Sequence, residues 1–532
     1  MFATDRRLKI LTIGAMCFGL FMVMLDNTVV NLALPTIQRQ LGAGITELQW
    51  IVDAFVLLVA SLMLTGGTIG DLYGRKRAFM SGLTIFTLGS LACALAPSVG
   101  VLIGARAVQG VGAAVMMPST LAILTNTFPD YKERAQAIGI WAGVAGIALA
   151  LGPLLGGVMV DAFGWQSIFY INVPIGIVAF VMCLRVVRES SDPRGRSLDL
   201  PGQVLAVVGL GTLTYALIEA NTYGWGSARI LSLFGIAAVT LAVFVVMELR
   251  SRSPMLQLSF FRNTTFFGAN LVGLLVSFAF FGMLMFLALF LQNIQGYSAT
   301  RAGLMQLPTT LAVVVASILS GRIVGRYGAR APITVGMVLL GLGLLLFTTV
   351  QPTTSFAGFW WILAIVGVGN GLVMSPITTA IMSSVPRARA GMASATSNTT
   401  RQVGGVFGIA LLGSIVTQRF TSTLAAGLKP FGLPVEVNAK ILAIAQQGQS
   451  SGSAATIPGM NGEGIHTLIN NSFTSGLHAA LWVSGIVLLV GAVVGAVLVR
   501  GTAPHHQAAR EAAREATANS RDPRPAPAEE GE

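Results

Sequence analysis

Fourteen apolar runs, each near the length of about 20 residues that an α-helix needs to cross the hydrocarbon core of a bilayer, recur along this chain. They read as Ile10–Leu34, Trp50–Gly70, Ala78–Ala96, Val99–Leu121, Ala135–Val160, Ile168–Val187, Leu200–Ala220, Ile230–Glu248, Phe266–Leu291, Ala302–Gly321, Ile333–Val350, Phe359–Ile381, Ala395–Val416 and Ser475–Val499. Lipid offers no partner to a backbone N–H or C=O, so each run must close its hydrogen bonds within itself as a helix. The expected fold is an all-α membrane protein with 14 transmembrane helices. Composition agrees, since only 10% of residues are charged against roughly 25% in soluble domains.

The formal net charge of +12 would suggest nucleic acid in a soluble protein, but the placement of the cations excludes that reading. Alternate loops hold Arg6, Arg7 and Lys9, then Arg75, Lys76 and Arg77, then Lys132 and Arg134, Arg185 and Arg188, Arg250 and Arg262, Arg322, Arg326 and Arg330, and Arg387 and Arg389. The intervening loops hold few, chiefly Arg39, Arg229, Arg301, Arg419, Lys429 and Lys440. By the positive-inside rule this predicts a multi-pass protein of the cell (plasma or inner) membrane with both termini cytoplasmic. Trp50, Trp165, Trp360 and Trp361 open spans at the opposite face, where an interfacial aromatic belt is expected. The first apolar run continues to Leu34 with polar residues in its middle, so it reads as a retained span and not a cleaved signal. Cys17, Cys93 and Cys183 lie isolated in apolar runs, which indicates packing residues, with neither a disulfide framework nor a metal site, and no organic cofactor is expected.

An internal repeat organises the spans. GTIGDLYGR at Gly67–Arg75 and GRIVGRYGAR at Gly321–Arg330 each close the second span of a six-span set, and in each a tyrosine precedes the later glycine. The chain therefore divides into a cytoplasmic N-terminus 1–9, an N-terminal six-helix half 10–190, two inserted helices 200–250, and a C-terminal six-helix half 262–500. That second half carries a long polar outward loop 419–474, with a candidate amphipathic helix at 435–445, and the chain ends in an Ala-, Arg-, Glu- and Pro-rich tail 501–532 expected to be disordered. Duplicated bundles of this kind are a transporter architecture, with the binding site between the halves near the bilayer midplane.

The candidate functional residues are the polar groups that lipid should exclude. Asp26 lies roughly 25 Å along the first span at 1.5 Å per residue. A carboxylate there costs about 2.5–3.5 kcal/mol to insert, so it should face a bundle interior or a water-filled cavity. Desolvation favours its neutral form, which makes it a candidate reversible proton carrier. Asn27 and Asn31 share one helical face and offer polar groups to a substrate, or stitch helices together. Asp53 is a second candidate, near the start of the second span, where a helix N-terminus favours an acid in any case. Arg106, inside the fourth span, needs a partner or water. Glu219 and Glu248 sit at the ends of the inserted spans and are assigned to interfaces. Asp71, among Gly67, Gly70, Gly74 and Arg75, is a candidate cytoplasmic gate that contacts Arg134 or a second-half helix as the halves rock. Gly152, Pro153, Gly156 and Gly157 combine close helix packing with a missing backbone donor and mark a bend.

Several ordered motifs resemble the major facilitator superfamily, and in particular its fourteen-spanner drug:proton antiporter branch. LDNTVVNLALP at Leu25–Pro35 resembles that branch's first-span signature, and GTIGDLYGRKR at Gly67–Arg77 resembles the superfamily's cytoplasmic loop motif. LIGARAVQGVGAA at Leu102–Ala114, LGPLLGG at Leu151–Gly157, GWQSIFYINVPIG at Gly164–Gly176 and RQVGGVFGIALLG at Arg401–Gly413 follow in order. The resemblance implies a role for Arg106 in proton transfer, and export as the direction of transport, since members with the fifth-span motif are typically exporters. Ala148 stands where that motif usually begins with Gly, which weakens this part of the match.

The expected function is proton-coupled secondary efflux of lipophilic or amphipathic drug-like molecules by alternating access, by a monomer that binds no nucleic acid. Proton-coupled uptake on the same fold is the first alternative; a non-transporting polytopic enzyme or receptor is the second. The chain has no GxxxxGK[ST], HExxH or GxSxG segment, so ATP-driven pumping and those hydrolase chemistries lack support.

Overall fold

A computed structural model describes residues 2–191, 198–251, 256–385, 390–431 and 462–500, with isolated positions between them. The candidate helix at 435–445 and the tail 501–532 lie mostly or wholly outside the described residues. Among the described residues, fourteen helices are long and apolar enough to span a membrane. They are α1 (Phe2–Leu41), α2 (Ile45–Tyr73), α3 (Arg75–Ala94), α4 (Val99–Thr127) and α5 (Tyr131–Phe163). Next come α6 (Ser167–Val186), α7 (Leu200–Tyr223), α8 (Ala228–Arg250), α9 (Thr264–Ile294) and α10 (Ala299–Tyr327). The last four are α11 (Arg330–Phe347), α12 (Phe356–Ser383), α13 (Ala390–Leu428) and α14 (Gly462–Leu498). Helical structure thus reaches into both ends of the segment 419–474 expected to be a loop.

The packing repeats. In the first half α1 lies on α5, α2 and α3 lie on α4, and α3 on α6; in the second, α9 lies on α13, α10 and α11 on α12, and α11 on α14. Glycines allow the closest of these approaches. A methyl group at Gly112 would come within 2.4 Å of the Phe86 nitrogen on α3, and one at Gly369 within 2.5 Å of the Leu340 nitrogen on α11. Each half therefore locks its own helices backbone to backbone, the packing mode that works where lipid is as apolar as leucine.

The inserted pair α7–α8 stands outside this repeat. The α7 helix lies against both α2 and α13, while α8 packs on α7. Gln203 donates to the Ser61 carbonyl at 2.9 Å and accepts from Thr65, and Trp50 donates to Glu219 at 3.2 Å. Asn221 reaches α13, donating to the Ser414 carbonyl at 2.6 Å and to its hydroxyl at 2.9 Å. Glu219 thus ties α7 to α2, while Glu248 holds a local contact, accepting from the Leu256 backbone at 2.9 Å.

The halves meet away from the basic loops. Gln49 donates to the carbonyls of Ile409 and Ala410, Gln292 to that of Leu32, and Asn293 to Gln38. Asp161 accepts from the backbone of Ala299 and Thr300 at the first turn of α10. Towards the basic loops the halves part: methyl groups built at Gly139, Gly143 and Gly146 on α5, or at Gly321 and Gly325 on α10, would meet nothing within 4 Å. The bundle is sealed at one end and open at the basic end. Trp165 departs from the expected aromatic belt, being 1% exposed against Phe169, whereas Trp360 and Trp361 are exposed.

Candidate functional site

Inside the first half, five helices bring polar groups to one point. The Asp26 carboxylate on α1 accepts from Arg106 Nη1 on α4 at 2.5 Å, and both side chains are wholly buried. Gln109, one turn along α4, donates to the other Asp26 oxygen at 2.9 Å and to Ser90 on α3 at 2.8 Å. Asn172 on α6 reaches Asp26 at 3.5 Å and Ser90 at 3.3 Å. Arg106 Nε donates to the Ile51 carbonyl on α2 at 3.0 Å, and its guanidinium lies 4.4 Å from the Phe55 ring centre. Glycines set this geometry: a methyl group at Gly110 would sit 2.6 Å from the Phe55 carbonyl, and one at Gly89 2.9 Å from the Gln109 nitrogen.

The chemistry follows from the donor set. Asp26 accepts from a guanidinium and two amides, an arrangement that stabilises its negative charge. Protonating it would replace a charge-assisted bond and leave Arg106 charged in an apolar core, so proton binding and the Arg106 contact oppose each other. Arg106 Nη2 has no hydrogen-bond partner, a further sign that the guanidinium is not fully satisfied in this state.

Asp53 is placed differently from the sequence expectation. α2 begins at Ile45, within the polar segment before Trp50, so Asp53 lies more than two turns inside the helix and not in its first turn. It is 0% exposed, and neither carboxyl oxygen has a hydrogen-bond partner. An unpaired carboxylate at such a site is strongly unfavourable, and a neutral carboxyl group is the form it can accommodate. The explanation from a helix terminus therefore falls away, and the two acids of the first half differ in kind: one is ion-paired and the other unpartnered.

The remaining sequence candidates occupy distinct places. Asn27 and Asn31 donate to the carbonyls of Val23 and Asn27 in their own helix, both at 3.1 Å, so their side-chain oxygens are the groups left to offer. Asp71 pairs with Arg75 at 2.8 Å across the α2–α3 turn, and Gly74 takes φ of 114°, a backbone that disfavours a side chain. Glu189 caps α3 from beside that turn, accepting from the Lys76 and Arg77 backbone. Arg134 is half-buried in the first turn of α5, next to Glu133, which pairs with Lys9 at 2.8 Å. Gly152, Gly156 and Gly157 divide their faces. The first two abut Thr28 and Val29 of α1, and Gly157 abuts Ala299 of α10, with the Pro153 carbonyl facing Gly303.

Sequence reasoning missed Gln109, Ser90 and Asn172, and it missed the sealing amides Gln49 and Gln292. Gln109 had a usable signal, since it follows Arg106 by one turn in an otherwise apolar span; neutral Ser and Asn residues are too common in spans to stand out.

Comparison with known proteins agrees with this architecture. The family model described as Major Facilitator Superfamily matches residues 16–409. The chain is 43% identical over 437 residues to the multidrug resistance protein Stp of Mycobacterium tuberculosis, covering 82% of this chain and 81% of that one. It is 34% identical to the tetracenomycin C resistance and export protein of Streptomyces glaucescens, covering 94% and 93%. Among solved structures, a bacterial homologue of the human lysosomal transporter Spinster, in an inward-facing and unoccupied conformation, superposes with a TM-score of 0.67 at 18% identity, covering 93% of this chain and 97% of that one. With a duplicated six-helix packing, an inserted pair and a family match over most of its length, the chain belongs to the major facilitator superfamily.

Proposed function

We propose that this protein exports lipophilic or amphipathic small molecules across the cell membrane, as a monomer, in exchange for inward-moving protons. The observation that carries the proposal is the buried Asp26–Arg106 pair, with a second buried and unpartnered acid, Asp53, on α2 of the same half, in a bundle sealed at one end and open at the other. Relatives named as multidrug resistance, antibiotic resistance and drug efflux proteins support the substrate class and direction. Uptake on the same fold has no observation of its own in its favour.

In this reading the basic end is cytoplasmic and both termini lie there, following the positive-inside rule. The residues 10–190 and 262–500 form the two rocking units, and 200–250 the insertion between them. The sealed contacts then face outward, and the structure stands open to the cytoplasm. Substrate binds beside Asp26, Asn27 and Asn31. Asp26 takes the proton that arrives from outside, giving up its Arg106 contact, and the buried, unpartnered Asp53 on α2 is the second acid of the coupling path. Deprotonation towards the cytoplasm restores the Asp26–Arg106 pair. At the basic end, the turn holding Gly67, Asp71, Gly74 and Arg75, with Arg134, closes when the halves rock, and Gly152, Pro153, Gly156 and Gly157 form the outer pivot. Each proton moved inward supplies about 2.3 kcal/mol per 100 mV, in addition to the pH gradient.

Inverted membrane vesicles loaded with a pH indicator test this directly. Energised vesicles should accumulate ethidium, and the dye should release protons from the lumen. Asp53→Asn should reduce uphill accumulation to the background of empty vesicles while leaving downhill dye exchange measurable. Uphill accumulation with unchanged proton dependence in that variant would remove Asp53 from the coupling path. Dye uptake into intact cells instead of efflux would reverse the direction.

A further inference from the structure

The two seams between the halves are related by the internal repeat, yet they are not alike. One seam runs between α2 and α13, the other between α5 and α10. Along α2 no residue from 48 to 72 is exposed, and along α13 none from 392 to 417. The α5–α10 seam is bare. On α5, residues 139, 140, 142, 143, 147, 149 and 151 are exposed, and at about 100° per residue these cover more than half of the helix circumference. Facing them, α10 keeps a single buried stripe, Thr309, Ala316, Ser320 and Val324, and exposes most of the rest from 311 to 327.

The cause of the asymmetry is the inserted pair. The α7 helix is fixed to α2 at two levels, by Gln203 and by Glu219, and touches α13 through Asn221. It travels with the first half as a cover over the α2–α13 seam. Among the described residues no helix plays that part on the other side. There α5 and α10 meet closely near the sealed end, where Gly157 abuts Ala299 and Gly303 abuts Pro153, while methyl groups at Gly139 and Gly143 on α5 or at Gly321 and Gly325 on α10 would meet nothing within 4 Å. The exposed large side chains of the two diverging stretches are apolar, with Ile140, Ile147 and Leu149 on α5 and Leu311, Val315 and Ile318 on α10. No charged residue lies between Gln136 and Val160 of α5, or between Gly303 and Gly321 of α10.

We infer that lipophilic substrates enter from the bilayer leaflet at the basic end through the α5–α10 seam, and that α7–α8 close the matching α2–α13 seam to lipid. The inference rests on the export reading. A molecule already dissolved among acyl chains slides between apolar walls without being desolvated, whereas a strongly hydrated one gains nothing from them. The occupant is therefore a bilayer-partitioned, largely apolar compound, and the seam selects for partitioning before any contact with Asp26.

The test is a kinetic split in reconstituted vesicles, with a membrane-partitioned rhodamine ester as the probe and its concentration referred to the bilayer. Gly143→Trp and Val315→Trp fill the open seam; Val239→Trp, on the lipid face of α8, is the control. The seam variants should raise KM about five-fold or more and leave kcat within about two-fold, the signature of lost access without lost chemistry. The control should change neither. Unchanged KM in both seam variants, or a fall in kcat at constant KM, overturns the inference. If the tryptophan variants do not accumulate, G143C and V315C reacted in the membrane with a bulky maleimide give the same reading, because native Cys17, Cys93 and Cys183 are all buried. Failure of the export reading looks different, since wild-type protein would then move no dye at all.

Discussion

Asp26→Asn is expected to abolish proton-driven efflux and to lower the stability of the protein by about 3–5 kcal/mol, the range seen when one partner of a buried ion pair is removed. The large effect comes from Arg106, not from the lost carboxylate. The guanidinium is wholly buried, with one nitrogen already unpartnered, and among the described residues Asp26 is the only counter-charge in contact with it. Neutralising both groups together should undo most of the stability loss, because two uncharged amides need no counter-charge. Asp26→Asn combined with Arg106→Gln is therefore expected to unfold near the wild-type temperature in detergent, as followed by tryptophan fluorescence, and still to transport nothing uphill. A single Asp26→Asn protein as stable as wild type would mean that Arg106 finds water or another partner, and the pair would lose its central role.

Gly157→Val should cost most of the transport rate while leaving the Asp26 network intact. A methyl group at Gly157 would lie 2.4 Å from the Ala299 carbonyl, a backbone atom that cannot swing aside. Overpacking of this kind costs about 1–3 kcal/mol, and all of it falls on the sealed arrangement, since the open one separates α5 from α10. The expected result is a shift of the equilibrium between the two arrangements by about 5–150-fold, the range that 1–3 kcal/mol produces. Ala302→Cys reports it, because Ala302 is 0% exposed beside this contact. In the Gly157→Val background that cysteine should react with a membrane-impermeant maleimide added outside, and in the wild-type background it should stay protected. Equal protection in both, with undiminished efflux, would dissociate the glycine from closure.

The spans and their duplication were legible because bilayer thickness imposes one length scale on every helix, and because Gly67–Arg75 and Gly321–Arg330 carry visibly related turns. Lone charges were legible for the same reason: Asp26 and Arg106 stand out against apolar neighbours. Their pairing was not, since 80 residues separate them and nothing local couples an acid on α1 to a cation on α4. Asp53 was misjudged in depth because α2 starts in Ile45–Gln49, a segment whose polar side chains read as loop. Gln49 itself turns inward and donates to two carbonyls of α13, a use of a polar residue that only tertiary contact reveals. The asymmetry of the two seams was also hidden, since it depends on which flank of the bundle the inserted pair occupies.

The outer seal is made chiefly of side-chain amides that donate to helical carbonyls, as Gln292 does to Leu32 and Gln49 to Ile409. A carbonyl in a helix already accepts from its own main chain, so when such a contact parts, only the amide has to find water. Parting of these amide contacts therefore strands no charge and breaks no helix. Among the described residues, the charged members of the outer seal are Asp161, which accepts from the first turn of α10, and Arg39, which reaches Asn293. Salt should therefore act on the outer seal through those two groups alone and leave its amide contacts untouched, while at the basic end it acts on the charged turn at Asp71 and Arg75.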